Sequence, residues 1–98
     1  MTRRQNQRYL VDLDVDLRIG ENTLRARAKN LSLGGVYLEL AEKTALGERV
    51  HLRFTVAGHA VEVDALVRWH GDRGAGVQFD SLRARDVYEI GKYLETLP

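Results

Sequence analysis

Apolar and polar side chains alternate with a period of two in six separate runs, and this is the feature that most restricts what the chain can fold into. From Tyr9 to Ile19, Val11, Leu13, Val15, Leu17 and Ile19 take one face while Asp12, Asp14, Asp16 and Arg18 take the other. That is the pattern of a strand buried on one side only. Gly20-Glu21-Asn22 supplies turn residues, and Leu24, Ala26 and Ala28 then alternate with Arg25, Arg27 and Lys29, which predicts a hairpin. Asn30-Leu31-Ser32-Leu33-Gly34-Gly35 breaks the period before Val36, Leu38 and Leu40 resume it against Tyr37 and Glu39. A fourth run carries Val50, Leu52, Phe54 and Val56. A fifth, entered through Ala57-Gly58-His59, carries Val61, Val63, Ala65, Val67 and Trp69, so parity assigns Trp69 to the core. The sixth is shorter, Ala75 to Phe79.

From Leu82 the period becomes helical. Leu82, Val87, Ile90, Leu94 and Leu97 mark one face, with Asp80 or Ser81 placed to cap the helix and Val87, Ile90 and Leu94 expected to pack on the strands. The fold class is therefore mainly β: a six-stranded antiparallel β-barrel with a C-terminal α-helix, since no helical segment separates the strands as a βαβ architecture requires. With 98 residues the chain makes a single domain, divided into a flexible arginine arm over 1–8, a barrel over 9–80 and a helix over 82–97.

Several function classes fall away on composition. Cysteine is absent, which excludes disulfides, thiol chemistry and cysteine-ligated metals. No apolar run approaches the roughly 18 residues of a membrane span, so a soluble, cytoplasmic protein without membrane insertion is expected. The net charge of +1 argues against a non-specific nucleic-acid binder. His51, His59 and His70 have no metal-ligand spacing, and Ser32 lacks the frame of a hydrolase nucleophile, so neither a metal site nor a catalytic residue is expected.

The charge is unevenly placed. Arg3, Arg4 and Arg8 put +3 into the first eight residues, and the other ninety carry a net −2. Arginine outnumbers lysine twelve to three, which suits bidentate contacts to phosphate or a guanine edge and is equally what GC-biased codon usage gives. Arg4-Gln5-Asn6-Gln7-Arg8 reads either as a solvated basic terminus or as an arm able to grip an anion from two directions. Asn30, Ser32 and Gly35 follow an N-x-S-x-x-G spacing that reads either as an Asx or Ser turn or as a ligand loop. In the second reading Asn30 and Ser32 offer donors and acceptors, and Gly34-Gly35 admits close backbone approach. Arg25, Arg27 and Lys29 form a basic strand face, expected to be solvated rather than anion-binding.

Taken together, the R-x-x-x-R arm before the first strand and the N-x-S-x-x-G loop after the second resemble the PilZ domain family, as do Val67-Arg68-Trp69 and Gly76-Val77-Gln78-Phe79 further on. The resemblance covers nearly the whole chain. It implies a six-stranded barrel that binds the bacterial second messenger cyclic di-GMP and needs no other cofactor. Arg4, Arg8, Asn30, Ser32 and Gly35 would be the ligand residues, with Arg3 and Gly34 as secondary candidates; Arg3 would stack on a base or help hold a second ligand molecule. The chemistry agrees, because each guanine presents an O6/N7 acceptor pair that arginine reads bidentately. The expectation is a non-enzymatic receptor that passes its signal to an unidentified protein partner. Two alternatives stand beside it: a PilZ-like adaptor that no longer binds nucleotide, and a small barrel for single-stranded nucleic acid, in which Tyr37 and Trp69 would stack on bases.

Overall fold

The computed structural model describes residues 7–98. Each alternating run forms a strand: β1 (Tyr9–Ile19), β2 (Asn22–Leu31), β3 (Gly35–Glu39), β4 (Arg49–Val56), β5 (His59–His70) and β6 (Gly74–Phe79), followed by α1 (Ala84–Glu95). All neighbouring strands are antiparallel and close into a barrel in the order β1-β2-β3-β6-β5-β4. The closing seam is short. It pairs Asp16 with Arg53, Leu17 with Leu52 and Arg18 with His51. The β4–β5 hairpin turns through Ala57 at φ +49° and Gly58 at φ +85°, the two left-handed residues that a type I′ turn requires.

The inward positions supply the core: Val15, Leu17, Leu31, Val36, Leu38, Leu52, Val61, Val63, Val67 and Val77 are all buried, together with Phe54 stacked near Phe79. Burial on this scale, at roughly 1.5–3 kcal/mol for each large side chain, makes the alternation itself the dominant folding signal. α1 packs nearest β4 through Ile90 and Leu94. Among the described residues no helix is long and apolar enough to cross a membrane.

Three expectations are corrected. Trp69 is not in the core but is 43% exposed. The register between β5 and β6 shifts between Val67 and Trp69, so an irregularity breaks the inward–outward parity at the residue where the sequence pattern extrapolated it. Val87 is 42% exposed and does not pack. The buried line on α1 runs through Asp86, Ile90 and Leu94 at four-residue spacing, and a buried aspartate is invisible to an apolar pattern. Neither Asp80 nor Ser81 caps the helix: Arg83 is the N-cap, and its backbone N–H donates to the Asp86 carboxylate at 3.3 Å.

Candidate ligand site

Arg8 lies just before β1, and Asn30 near the end of β2 is cross-strand from Leu10. The antiparallel register thus carries Arg8 back to the loop that follows β2. Arg8 Nη1 donates a hydrogen bond to Asn30 Oδ1 at 2.7 Å. Arg3 and Arg4 lie outside the described residues.

Ser32 is buried, at 1% exposure. Its Oγ accepts from the backbone N–H groups of Gly34 at 3.1 Å and Gly35 at 3.2 Å, and its own N–H donates to the Gly35 carbonyl at 2.9 Å. The hydroxyl thereby folds the loop on itself as a Ser turn. The loop then docks on β6, with Phe79 N–H donating to the Gly34 carbonyl at 2.9 Å. A Cβ on Gly35 would stand 2.2 Å from the Val77 carbonyl oxygen, so glycine is needed here for strand-to-strand approach.

Arg8, Ser32, Gly34 and Gly35 line one cleft of about 350 Å³, with Arg68, Trp69, Val77 and Gln78 as its other wall. Arg68 and Gln78 are residues that motif reasoning does not assign to a site, and Trp69 enters it only as a base-stacking residue of the nucleic-acid alternative. Outward parity on β5 and β6 places Arg68 and Gln78 on the outer surface, but only the β5 irregularity turns Trp69 toward it.

The outer surface beside this cleft carries a row of register partners: Leu10 on β1, Asn30 on β2, Tyr37 on β3, Gly76 on β6 and Trp69 on β5. Gly76 has no side chain, and over it the rings of Tyr37 and Trp69 stack, with centroids 5.2 Å apart and planes 15° from parallel. Leu10, 85% exposed, stands at the other end of the row.

The basic face of β2 is paired with carboxylates of β1. Arg25 meets Asp16 at 3.1 Å, Arg27 meets Asp12 at 2.7 Å and also Asp14, and Lys29 lies 3.4 Å from Asp12. The hydrogen-bonded Arg27 guanidinium holds the Asp12 carboxyl below the usual carboxylate range. This face is a solvated cross-strand ion ladder, and the broad depression over it is bordered by its own counter-charges. A further cleft of about 370 Å³ separates residues 40–44 from 70–74, where Thr44 Oγ1 and His70 Nε2 are 3.2 Å apart. It contains none of the motif residues.

At the opposite end of β5 from Arg68, the fully buried Asp86 carboxylate takes hydrogen bonds from Arg83 Nε at 3.0 Å and Nη2 at 3.1 Å, and lies 2.9 Å from His59 Nε2. The Arg83 guanidinium lowers the Asp86 carboxyl to about 2 against the opposing effect of burial, with His59 adding to the lowering. This cluster fastens α1 to the β4–β5 hairpin and takes no part in the cleft.

A family model described as PilZ domain matches residues 2–96. Among solved structures, the Bacillus subtilis inhibitor of motility MotI/DgrA superposes with a TM-score of 0.77 at 24% identity, covering 98% of this chain and 50% of that one. The PilZ domain of CeSA from a cellulose-synthesizing bacterium gives a TM-score of 0.74 at 14% identity, with 93% of this chain and 97% of that chain covered. The Borreliella burgdorferi PlzA protein, solved in complex with c-di-GMP, gives 0.74 at 14% identity over 94% of this chain and 41% of that one. The chain thus spans half the length of MotI/DgrA and less than half that of PlzA. No curated protein sequence matches it significantly.

Proposed function

Because this chain belongs to the PilZ domain family, we propose that it is a cyclic di-GMP receptor that acts by altering a surface recognised by a protein partner, without catalysing a reaction. One observation carries the reading: the 2.7 Å hydrogen bond from Arg8 to Asn30 joins the two halves of the binding motif beside a single cleft. The ligand presents phosphates and guanine O6/N7 edges, and guanidinium groups suit both. Arg8 enters the cleft from the arm and Arg68 from the opposite wall, while Trp69 offers a partly exposed ring face for a base. Arg3 and Arg4 supply further guanidinium groups from the arm in this reading. Ser32 has a different part. Its oxygen already accepts from Gly34 and Gly35, so it holds the loop in shape, and Asn30 and the arginines carry most of the polar recognition.

A calorimetric titration with cyclic di-GMP, with GMP and cyclic AMP as controls, tests this directly. Saturable binding of cyclic di-GMP that the controls do not reproduce is expected, and the same titration counts ligands per chain. Absence of heat and of any thermal stabilisation would leave the adaptor without nucleotide as the better account.

A further inference from the structure

We infer that Tyr37 is a positioning residue for the candidate site: by stacking on Trp69 across Gly76 it holds the indole in place against the cleft wall. The inference rests on the receptor reading for its ligand half, and on geometry alone for the rest. Trp69 leaves the core parity after the β5 irregularity and stands on the outer surface, where an indole is free to sample several rotamers. Two neighbours restrict it. Gly76 lies beneath the ring so closely that a Cβ there would be 2.3 Å from Trp69 Cε2, and Tyr37 flanks it at a 5.2 Å centroid distance with planes 15° apart.

Tyr37 is itself fixed. It is half-buried, in register with both Asn30 and Gly76, and its hydroxyl lies over Gly71, where a Cβ would come within 2.6 Å of it. The same ring therefore stands between Asn30, the motif amide, and Trp69, the aromatic wall. A base that meets an indole already held in one orientation does not have to pay for ordering it. Tyr37 would improve affinity in this way without touching the ligand.

Trp69 is the only tryptophan, so selective excitation of the indole reports on this position alone. In ligand-free protein, Tyr37→Ala should red-shift the emission and lower its anisotropy, whereas Tyr37→Phe should leave both near wild type. In titrations with cyclic di-GMP, Tyr37→Ala should bind roughly 3- to 10-fold more weakly, the range expected for losing one aromatic stack, and Tyr37→Phe should restore the affinity. Tyr37→Leu, which keeps the bulk without the stack, serves if the alanine variant does not fold. An unchanged indole signal, or wild-type affinity in both the alanine and leucine variants, would overturn the inference. Wild-type protein that fails to bind cyclic di-GMP would overturn the receptor reading instead, while the ligand-free indole signal still decides whether Tyr37 holds Trp69.

Discussion

Arg8 Nη1 and Asn30 Oδ1 meet at 2.7 Å although 22 residues separate them in the chain. Antiparallel pairing of β1 with β2 makes this contact, since Leu10 and Asn30 are register partners. The pair is exposed, and exposed side-chain pairs contribute at most about 1 kcal/mol to stability. Its importance is therefore expected in recognition rather than in folding.

Arg8→Ala should weaken cyclic di-GMP binding by about 1.5–3 kcal/mol, the scale of one lost charge-assisted hydrogen bond, while the melting temperature of the free protein stays close to wild type. Titration and a melting curve on the same sample check both halves. An Arg8→Ala protein with full affinity would remove the central residue of the proposed site.

Ser32→Ala should behave in the opposite way. The hydroxyl is buried and accepts from two backbone N–H groups, that of Gly35 buried and that of Gly34 partly so, and leaving a buried donor unsatisfied costs about 1–3 kcal/mol. Chemical denaturation should therefore show a larger stability loss for Ser32→Ala than for Arg8→Ala. The reverse order would mean that the loop does not depend on its Ser turn.

Guanine selectivity should exceed what charge alone gives. Adenine places an N6 donor where guanine has the O6 acceptor, so arginine donors face a donor, and cyclic di-AMP should bind much more weakly than cyclic di-GMP. Competition between the two at several salt concentrations is the test. Equal affinities that fall together with salt would indicate a generic anion patch.

Asp86 sets an acid limit on stability. Its carboxyl lies at about 2 in the folded protein against 3.8 ordinarily, so folding favours the ionised form and the carboxylate contributes roughly 2 kcal/mol at neutral pH. That contribution is complete above about pH 4 and is lost as pH falls through about 2. Urea midpoints measured between neutral pH and pH 2 should fall more steeply for wild type than for Asp86→Asn. The variant should also be less stable at neutral pH, because Arg83 and His59 lose the charge they surround. Parallel acid profiles for the two proteins would count against this assignment.

Gly76→Ala should displace the indole. The added methyl would stand within 2.6 Å of three atoms of the Trp69 ring, and the ring cannot move without breaking its stack on Tyr37. A shifted Trp69 emission together with weakened binding is expected. Unchanged fluorescence would mean that the ring does not rest where the structure places it.

The strands and their pairing were legible because inward positions such as Val15, Leu17, Leu52 and Val63 announce themselves by alternation. The arm and loop motifs were legible as spacings, and register explains why they converge. Trp69 was not, because an irregularity in pairing with β6 leaves no mark on hydrophobicity. Asp86 was not either: a charged residue on the buried line of a helix is tolerated only because the Arg83 guanidinium neutralises it and the His59 ring, 27 residues away, adds a hydrogen bond, and one-dimensional periodicity carries no such partner information. The sequence predicts a solvated basic face on β2, and the structure adds the reason, that Asp12, Asp14 and Asp16 stand across from it on β1.

The docking of the 32–35 loop on β6 sets an order of assembly. The hairpin of β1 and β2 is local and can pair as soon as its residues emerge, whereas β3 finds its second neighbour only in residues 74–79, and non-local pairings of this kind form late. Gly34 and Gly35 gain their strand partners in that same step. A nascent or truncated chain that lacks β6 would hold every motif residue and its local Ser turn, yet leave Gly34 and Gly35 without their strand partners, so under the proposed receptor function ligand competence would arrive with the last strand and report that the barrel is finished.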